Sequence, residues 1–237
     1  MGVENGVQPF PRPACWGNGK QVIFDNRSDA GRQLAAKLSA YAASGARVLA
    51  LPRGGVPVGY EVARALHAPL DVFVVRKIGA PGREELAIGA IASGGLRVLH
   101  DETIAALGVE PAVVDAITQR ELLEVKRRED AYRGGLPAPD VKDHTVILVD
   151  DGLATGASMH AAVLALRKRA PKRIVVAVPV APADTCLMLE PYVDDLVVLA
   201  TPHPFRGVGA WYGDFSQISD EEVRTLLRDS RFPVGPA

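Results

Sequence analysis

The stretch VILVDDGLATGAS, Val146 to Ser158, decides the fold class. Four apolar residues are followed by two adjacent carboxylates, and small and hydroxyl residues then lead into a helical pattern. A short run that is apolar end to end suits a parallel strand that helices bury on both faces. The stretch therefore predicts a buried strand, a tight turn and a helix, which together begin a βαβ unit.

The same alternation of short β-branched runs and longer amphipathic runs extends along most of the chain. It predicts an α/β fold: an open, mostly parallel twisted sheet flanked by helices. The predicted strands are Gln21–Phe24, Arg47–Leu51, Leu70–Arg76, Ile88–Ile91 with Leu96–Leu99, Thr145–Val149, Arg173–Val178 and Asp195–Leu199. The predicted helices are Ser28–Ala43, Val56–Leu66, Pro111–Arg133, Ser158–Arg169 and a short one over about Asp220–Arg228.

Three regions differ in character. Residues 1–20 are rich in glycine and proline without periodicity, which predicts a loose N-terminal arm. Residues 21–200 carry the α/β pattern, and the charged run 121–129 in the longest helix is predicted to be a solvated face. After residue 200, aromatic residues cluster among glycines and prolines. Residues 201–237 are predicted to form a small irregular hood lobe over the sheet edge, ending in the short helix.

Composition excludes several function classes. The 237 residues include 27 Lys and Arg against 28 Asp and Glu, and the formal net charge is −1. This balance does not favour nucleic acid as a partner, because sequence-independent binding to phosphates needs a basic surface. Two cysteines are too few for a disulfide scaffold. The sequence shows neither a secretory signal pattern nor an apolar run of about 20 residues, so we predict a soluble cytoplasmic protein without membrane contact.

Ligands of open parallel sheets bind beyond the carboxyl ends of the strands, so the turns after the strands should carry the chemistry. In residues 150–158, small side chains let backbone N–H groups approach an anion at a helix N-terminus, and Thr155 and Ser158 add hydroxyl donors. Asp150 and Asp151 suit sugar hydroxyls or a hydrated Mg²⁺ instead. The alternatives are a merely solvated strand end and the metal strand of a nucleotide hydrolase, whose GxxxxGK[ST] loop the sequence lacks.

This stretch resembles the signature of type I phosphoribosyltransferases, which join a nitrogenous base to 5-phosphoribosyl-1-pyrophosphate (PRPP). The resemblance extends over roughly residues 22–215. It implies that Asp150 and Asp151 face the ribose hydroxyls, act in catalysis and hold Mg²⁺ through water. It also implies a homodimer, and it assigns the 5′-phosphate to Ala154, Thr155, Gly156, Ala157 and Ser158.

The turn LPRGG, residues 51–55, resembles the short pyrophosphate loop of the same family. The resemblance implies that Arg53 and the backbone amides of Gly54 and Gly55 meet the pyrophosphate. Such loops often contain a non-proline cis peptide, which we predict at the Arg53–Gly54 bond. Without the resemblance, the same four residues PRGG are a common tight turn.

A third turn begins at Arg76 and Lys77 and continues as IGAPGREELAIG, residues 78–89. In the family, a mobile loop after such a strand closes over PRPP and excludes water. The resemblance implies that Arg76 and Lys77 contact pyrophosphate oxygens, with Lys77 in a catalytic role and Arg83 nearby. A basic pair that only caps a strand is the alternative.

The acceptor base is the least determined part. Family members that use 6-oxopurines commonly have an aspartate three residues beyond the second acidic position, where this chain has Ala154, so we expect a different base. Trp211, Tyr212 and Phe215 offer ring faces for stacking, or they only attach the lobe to the sheet. The sequence predicts a Mg²⁺-dependent phosphoribosyltransferase that releases pyrophosphate. A PRPP-sensing regulator or a non-catalytic protein on the same fold is the alternative.

Overall fold

A computed structural model describes residues 23–230 of the chain. In chain order its strands are β1 (Arg47–Ala50), β2 (Leu70–Val72), β3 (Val75–Ala80), β4 (Arg83–Ala92), β5 (Leu96–Leu99), β6 (Thr145–Val149), β7 (Arg173–Val180) and β8 (Asp195–Ala200). The α-helices are α1 (Arg27–Lys37), α2 (Gly55–Leu66), α3 (Asp101–Leu107), α4 (Pro111–Arg133), α5 (Ala157–Arg167), α6 (Ala183–Leu189) and α7 (Asp220–Asp229).

Five strands form one parallel sheet in the order β2-β1-β6-β7-β8, which confirms the predicted fold class. From the centre, the chain runs outward through β1 and β2 on one side and through β6, β7 and β8 on the other. Strands β1 and β6 are neighbours, with Ala50 opposite Val149. The order of the strands therefore reverses between β1 and β6, and a ligand site is expected beyond their carboxyl ends.

Helices bury both faces of this sheet, as the apolar strands require. Side chains that alternate along each strand point to opposite faces: Ile147 and Val149 belong to one buried cluster, and Val146 and Leu148 to the other. Helices α1, α2, α4 and α7 pack on the first face, and α5 and α6 pack on the second. Burial of each such valine or leucine stabilises the fold by about 1.5–3 kcal/mol.

A separate antiparallel sheet in the order β3-β4-β5 stands beside the parallel one and packs against α3 and α4 through Ile78, Ile88 and Val114. It corrects two predictions. The predicted strand Leu70–Arg76 is divided between β2 and β3, because the two segments belong to different sheets. Residues 78–87, predicted as a mobile loop before the strand Ile88–Ile91, belong to a β-hairpin of β3 and β4 instead. Gly82, at φ +70°, supplies the conformation that the hairpin turn needs.

The helix predictions hold with shifts of one or two residues at the ends, except that α1 ends at Lys37 and not at the predicted Ala43, with a 3₁₀ turn at Ser39–Tyr41 after it. Helix α4 has its predicted bounds because Pro111 begins it and Gly134, at φ +64°, ends it. The charged run in α4 is not a uniformly solvated face, since Glu121 and Val125 are buried. The short helices α3 and α6 were not predicted. None of the helices in residues 23–230 is long and apolar enough to cross a membrane.

The hood lobe, residues 201–237, is described as far as residue 230 and is irregular up to α7, apart from one 3₁₀ turn at Val208–Trp211. Phe24 forms a single parallel bridge to Tyr212, and the two rings pack with their centroids 5.3 Å apart. The predicted strand Gln21–Phe24 is reduced to this bridge among its described residues, and its first two residues lie outside them. The predicted arm, residues 1–20, also lies outside the described residues.

Candidate active site

The candidate site lies where β1 and β6 end side by side. The loop of residues 51–55 follows β1 and leads into α2, and residues 150–156 follow β6 and lead into α5. Both loops therefore open at the point where strand order reverses. The structure brings together two of the three turns that the sequence singled out.

Residues 154–156 form the loop before α5, and Ala157 and Ser158 begin the helix; all of these residues are exposed except the buried Gly156. Gly156 adopts φ +72°, and a β-carbon there would lie 2.7 Å from Thr185 Cγ2, so the turn needs glycine. Thr185 Oγ1 donates to the Ala154 carbonyl at 2.8 Å and anchors the loop to α6. The N-cap residue Gly156 has no side chain to cap α5, and Thr155 Oγ1 accepts from the Ala157 backbone N–H at 3.5 Å. Backbone amides at the positive end of a helix suit an anion, and the 5′-phosphate site at these residues stays a prediction.

Asp150 and Asp151 lie at the end of β6, directly against the loop after β1. A β-carbon on Gly55 would lie 2.7 Å from the Val149 carbonyl oxygen, and one on Gly54 would lie 2.0 Å from Asp151 Oδ2. The backbone of the Arg-Gly-Gly turn can approach the two carboxylates this closely because its glycines have no side chains. An anion bound by this turn would therefore adjoin a group bound by the carboxylates.

Burial and the neighbouring Asp151 charge raise the pKa of the Asp150 carboxyl well above its usual range. Asp150 Oδ1 accepts a hydrogen bond from the Asp151 backbone N–H at 2.8 Å. Burial also raises the pKa of Asp151, and the Arg27 guanidinium opposes that rise. Two carboxylates that share one buried site in this way favour a cationic or hydroxyl-bearing ligand.

Arg27 is a site residue that the sequence reasoning missed. It is the first residue of α1, and its Nε donates to Asp151 Oδ2 at 2.8 Å. A basic side chain in the first turn of a helix opposes the helix dipole. That unfavourable placement, directly after the helix-capping residue Asn26, was the only signal in the sequence that Arg27 has a partner elsewhere.

The pyrophosphate-loop prediction needs one correction. The non-proline cis bond joins Pro52 to Arg53, not Arg53 to Gly54. Gly54 has right-handed helical torsions, φ −60° and ψ −34°, and already leads into α2. The cis peptide therefore lies one bond earlier than predicted, before Arg53. Arg53 is half-buried, and its Nη1 lies 3.7 Å from Asp220 Oδ1 at the start of α7.

Arg76 and Lys77 lie at the start of β3, on the antiparallel sheet. The Arg76 guanidinium is held by Glu121 of α4, with Nε and Nη2 at 2.9 and 2.8 Å from Glu121 Oε2. Lys77 is exposed and pairs with Ala90 in the hairpin. Arg83 is exposed where β4 begins. These basic residues stand on a different sheet from the two aspartates.

The aromatic residues of the hood lobe differ in exposure. Tyr212 is buried, and its hydroxyl donates to the Asp151 carbonyl at 2.5 Å. Phe215 is exposed, with the Arg27 guanidinium 3.8 Å above its ring. Trp211 is half-buried, with its ring 6.4 Å from that of Phe205. Two of the three aromatic residues therefore touch the carboxylate end of the site, directly or through Arg27.

The donor set at the end of β6 also bears on a metal. Within residues 23–230, no three His, Cys, Asp or Glu side chains come together as metal ligands. Asp150 and Asp151 alone suit an ion that keeps most of its water, and Mg²⁺ is such an ion. The residues present therefore fit a hydrated Mg²⁺ held by these two carboxylates.

Comparison with known proteins identifies the family of the chain. The chain matches the model of the phosphoribosyl transferase domain over residues 22–203. It is 44% identical over 205 residues to a Mycobacterium tuberculosis (strain H37Rv) protein named "Putative phosphoribosyl transferase Rv0571c", a match covering 86% of this chain and 46% of that relative. The crystal structure of TT1426 from Thermus thermophilus has a TM-score of 0.79 to this chain at 40% identity, covering 87% of this chain and 98% of that one.

The parallel sheet, the glycine turn and the paired carboxylates define an α/β protein whose candidate ligand site lies where its strand order reverses. The family match identifies it further: the chain belongs to the phosphoribosyl transferase domain family. This confirms the resemblance found in the sequence. The chain spans about half the length of the curated relative that it matches.

Proposed function

We propose that the chain catalyses Mg²⁺-dependent transfer of the 5-phosphoribosyl group from PRPP to a nitrogenous base other than a 6-oxopurine. The observation that carries the proposal is the close contact between the two loops. The glycine turn after β1 lies against the carboxylates, and the amide loop follows them by only a few residues. In this proposal pyrophosphate binds the glycine turn, ribose binds the carboxylates and the 5′-phosphate binds the amide loop. The three sites are adjacent, in the order in which these groups occur in PRPP.

In this reaction the bond from the anomeric carbon to a pyrophosphate oxygen breaks, and a base nitrogen supplies the electron pair of the new C–N bond. Asp150 and Asp151 accept hydrogen bonds from the ribose hydroxyls and favour the positive ribosyl centre. Arg53, Arg76 and Lys77 neutralise the leaving pyrophosphate, which takes the electron pair. Bound Mg²⁺ would supply further positive charge at the pyrophosphate. The β3–β4 hairpin is the proposed lid that excludes water.

The proposed acceptor site lies beneath the hood lobe. Phe215 is the most exposed of the three aromatic candidates, and Tyr212 packs beside it with ring centroids 5.1 Å apart. A flat heterocycle can stack on an aromatic face that the Arg27 guanidinium does not cover. This chain has Ala154 at the position where family members that use 6-oxopurines commonly have an aspartate. This absence supports the choice of another base.

Calorimetric titration of PRPP, with and without Mg²⁺, tests the proposal. We expect saturable one-to-one binding that needs Mg²⁺ and that Asp151→Asn weakens, while the control Asp140→Asn, in an exposed loop, binds as the wild type does. Pyrophosphate release is then measured with a panel of bases. Absence of saturation at millimolar PRPP would contradict the proposal. Binding without turnover on any base would favour a PRPP sensor. A homodimer, as the family resemblance implies, and a cytoplasmic location, as the sequence predicts, complete the proposal.

A further inference from the structure

Arg27 makes three contacts with separate parts of the molecule. Its Nε donates to Asp151 Oδ2 at 2.8 Å, and its Nη1 donates to the Ser216 carbonyl at 2.8 Å. Its guanidinium carbon lies 3.8 Å from the centre of the Phe215 ring. One side chain thus joins helix α1, the end of β6 and the hood lobe.

These contacts fix the guanidinium in place. The Arg27 side chain is only 9% exposed, and two of its three partners, a backbone carbonyl and an aromatic ring, would not be released by an anionic ligand. Helix α1 is itself anchored at this end, because the Asn26 side chain accepts from the Asp29 backbone N–H. A ligand that displaced Arg27 from Asp151 would also have to break its contacts with the hood lobe. The guanidinium is therefore a fixed part of the site.

The consequence falls on Asp151. Its Oδ2 is held by Arg27, its backbone carbonyl is held by Tyr212, and Gly54 lies directly beside the carboxylate. Both contacts of the side chain, with Arg27 and with the Gly54 backbone, fall on Oδ2, so Oδ1 is the oxygen left to accept from a ligand. Removal of Arg27 would leave the carboxylate, whose side chain is 14% exposed, without its cationic partner and without the hydrogen bond that sets its orientation.

We propose that Arg27 is a positioning residue of this site, which holds the Asp151 carboxylate in the orientation that receives the ribose hydroxyls of PRPP. This inference rests on the proposed function. Arg27 does not itself touch the reacting atoms in this proposal; it acts through Asp151. It also couples the hood lobe to the ribose-binding end of the site through Ser216 and Phe215.

The test compares two ligands, one with ribose and one without it. The Mg²⁺ complex of PRPP, and inorganic pyrophosphate without Mg²⁺ so that it does not engage the carboxylates through the metal, are titrated into the wild type, Arg27→Gln and the matched control Arg32→Gln. Arg32 lies on the same helix, is exposed, and has ion pairs no shorter than 3.7 Å. We expect Arg27→Gln to weaken PRPP binding about ten-fold or more, because a ten-fold change in affinity corresponds to the contribution of one charge-assisted hydrogen bond. Pyrophosphate affinity should change less than about two-fold.

A merely structural role for Arg27 would reduce the affinity for both ligands in equal proportion, and that result would overturn the inference, as would unchanged PRPP binding. If Arg27→Gln does not fold, Arg27→Lys serves instead, because lysine keeps the charge but loses the planar fork. The lysine variant should show the same selective loss of PRPP affinity to a smaller degree. Failure of the wild type to bind PRPP would refute the proposed function itself, which separates the two outcomes.

Discussion

Gly152 lies directly against Val208, so that a β-carbon on Gly152 would be 2.6 Å from Val208 Cγ1. It would also lie 2.9 Å from Val180 Cγ1 on β7. The hood lobe therefore supplies an aliphatic side chain to the space beside Gly152, which a side chain at position 152 would have to displace.

The first prediction concerns this contact. Gly152→Val should lower the free energy of unfolding by about 1–3 kcal/mol, because the added methyl groups overpack the space beneath Val208. The measurement is urea unfolding followed by circular dichroism. Val208→Ala, combined with Gly152→Val, should recover part of the loss. If the double variant loses the sum of the two single losses, the sites are independent and the packing argument is wrong.

The second prediction concerns Glu121, which is buried and holds Arg76. Glu121→Gln should lower the free energy of unfolding by about 1–2 kcal/mol, because the Arg76 guanidinium loses its ionic partner. The loosened guanidinium should also weaken pyrophosphate binding, which calorimetry measures. Glu124→Gln is the matched control on the same helix, where the side chain serves only surface arginines. Its loss should stay near ~0.5 kcal/mol. Equal losses for the two variants would contradict a special role for Glu121.

The elements that the sequence predicted well are those with local signals. The bounds of α4 follow from Pro111 and Gly134, and β6 has its predicted range because its apolar run is bounded by polar residues. The parallel class follows from strands that are apolar on both faces. The turn after β6 leads into the N-terminus of α5, as the pattern of residues 150–158 predicts. Each of these inferences needs only residues that are close together in the chain.

The features that escaped prediction depend on contacts between distant residues. Arg27 and Asp151 are 124 positions apart, and only the folded chain places α1 beside the end of β6. Glu121 looks like part of a solvated charged run until Arg76 packs against it. The hairpin at 78–89 was missed because its glycines and charges are equally typical of a loop. The sequence therefore indicates where the candidate site lies better than it indicates the contacts that support it.

The third prediction concerns pH and the carboxylate of Asp194. Partial burial alone would raise the pKa of Asp194, but hydrogen bonds from the Ile174 backbone N–H at 2.7 Å and from Arg167 at 2.9 Å outweigh it and lower that pKa. A carboxyl whose folded pKa is depressed stabilises the fold above its unfolded pKa, and this contribution is lost as pH falls through the folded pKa. Asp194→Asn should therefore lower the melting temperature at pH 7, and the difference should shrink below about pH 4.

The control for Asp194 is Asp130→Asn, at an exposed position of α4. Melting temperatures of the three proteins are measured by calorimetry from about pH 7 to about pH 3, a range that spans the ordinary carboxyl pKa. The control should follow the wild type throughout. A difference between Asp194→Asn and the wild type that stays constant with pH would show that the Asp194 charge does not contribute.

The last prediction separates the space beside Asp151 from backbone strain. Gly54→Ala places a β-carbon 2.0 Å from Asp151 Oδ2, at a backbone conformation that alanine adopts readily. Gly45→Ala meets no atom within 4 Å, but it must adopt φ +68°. We expect Gly54→Ala to weaken PRPP binding about ten-fold or more, because the carboxylate is pushed away from Arg27. Gly45→Ala should cost about 1 kcal/mol of stability and leave PRPP affinity unchanged. Calorimetry measures the PRPP affinity of both variants, and urea unfolding measures their stability. Equal loss of PRPP affinity in both variants would show that the contact between Gly54 and Asp151 does not determine PRPP binding.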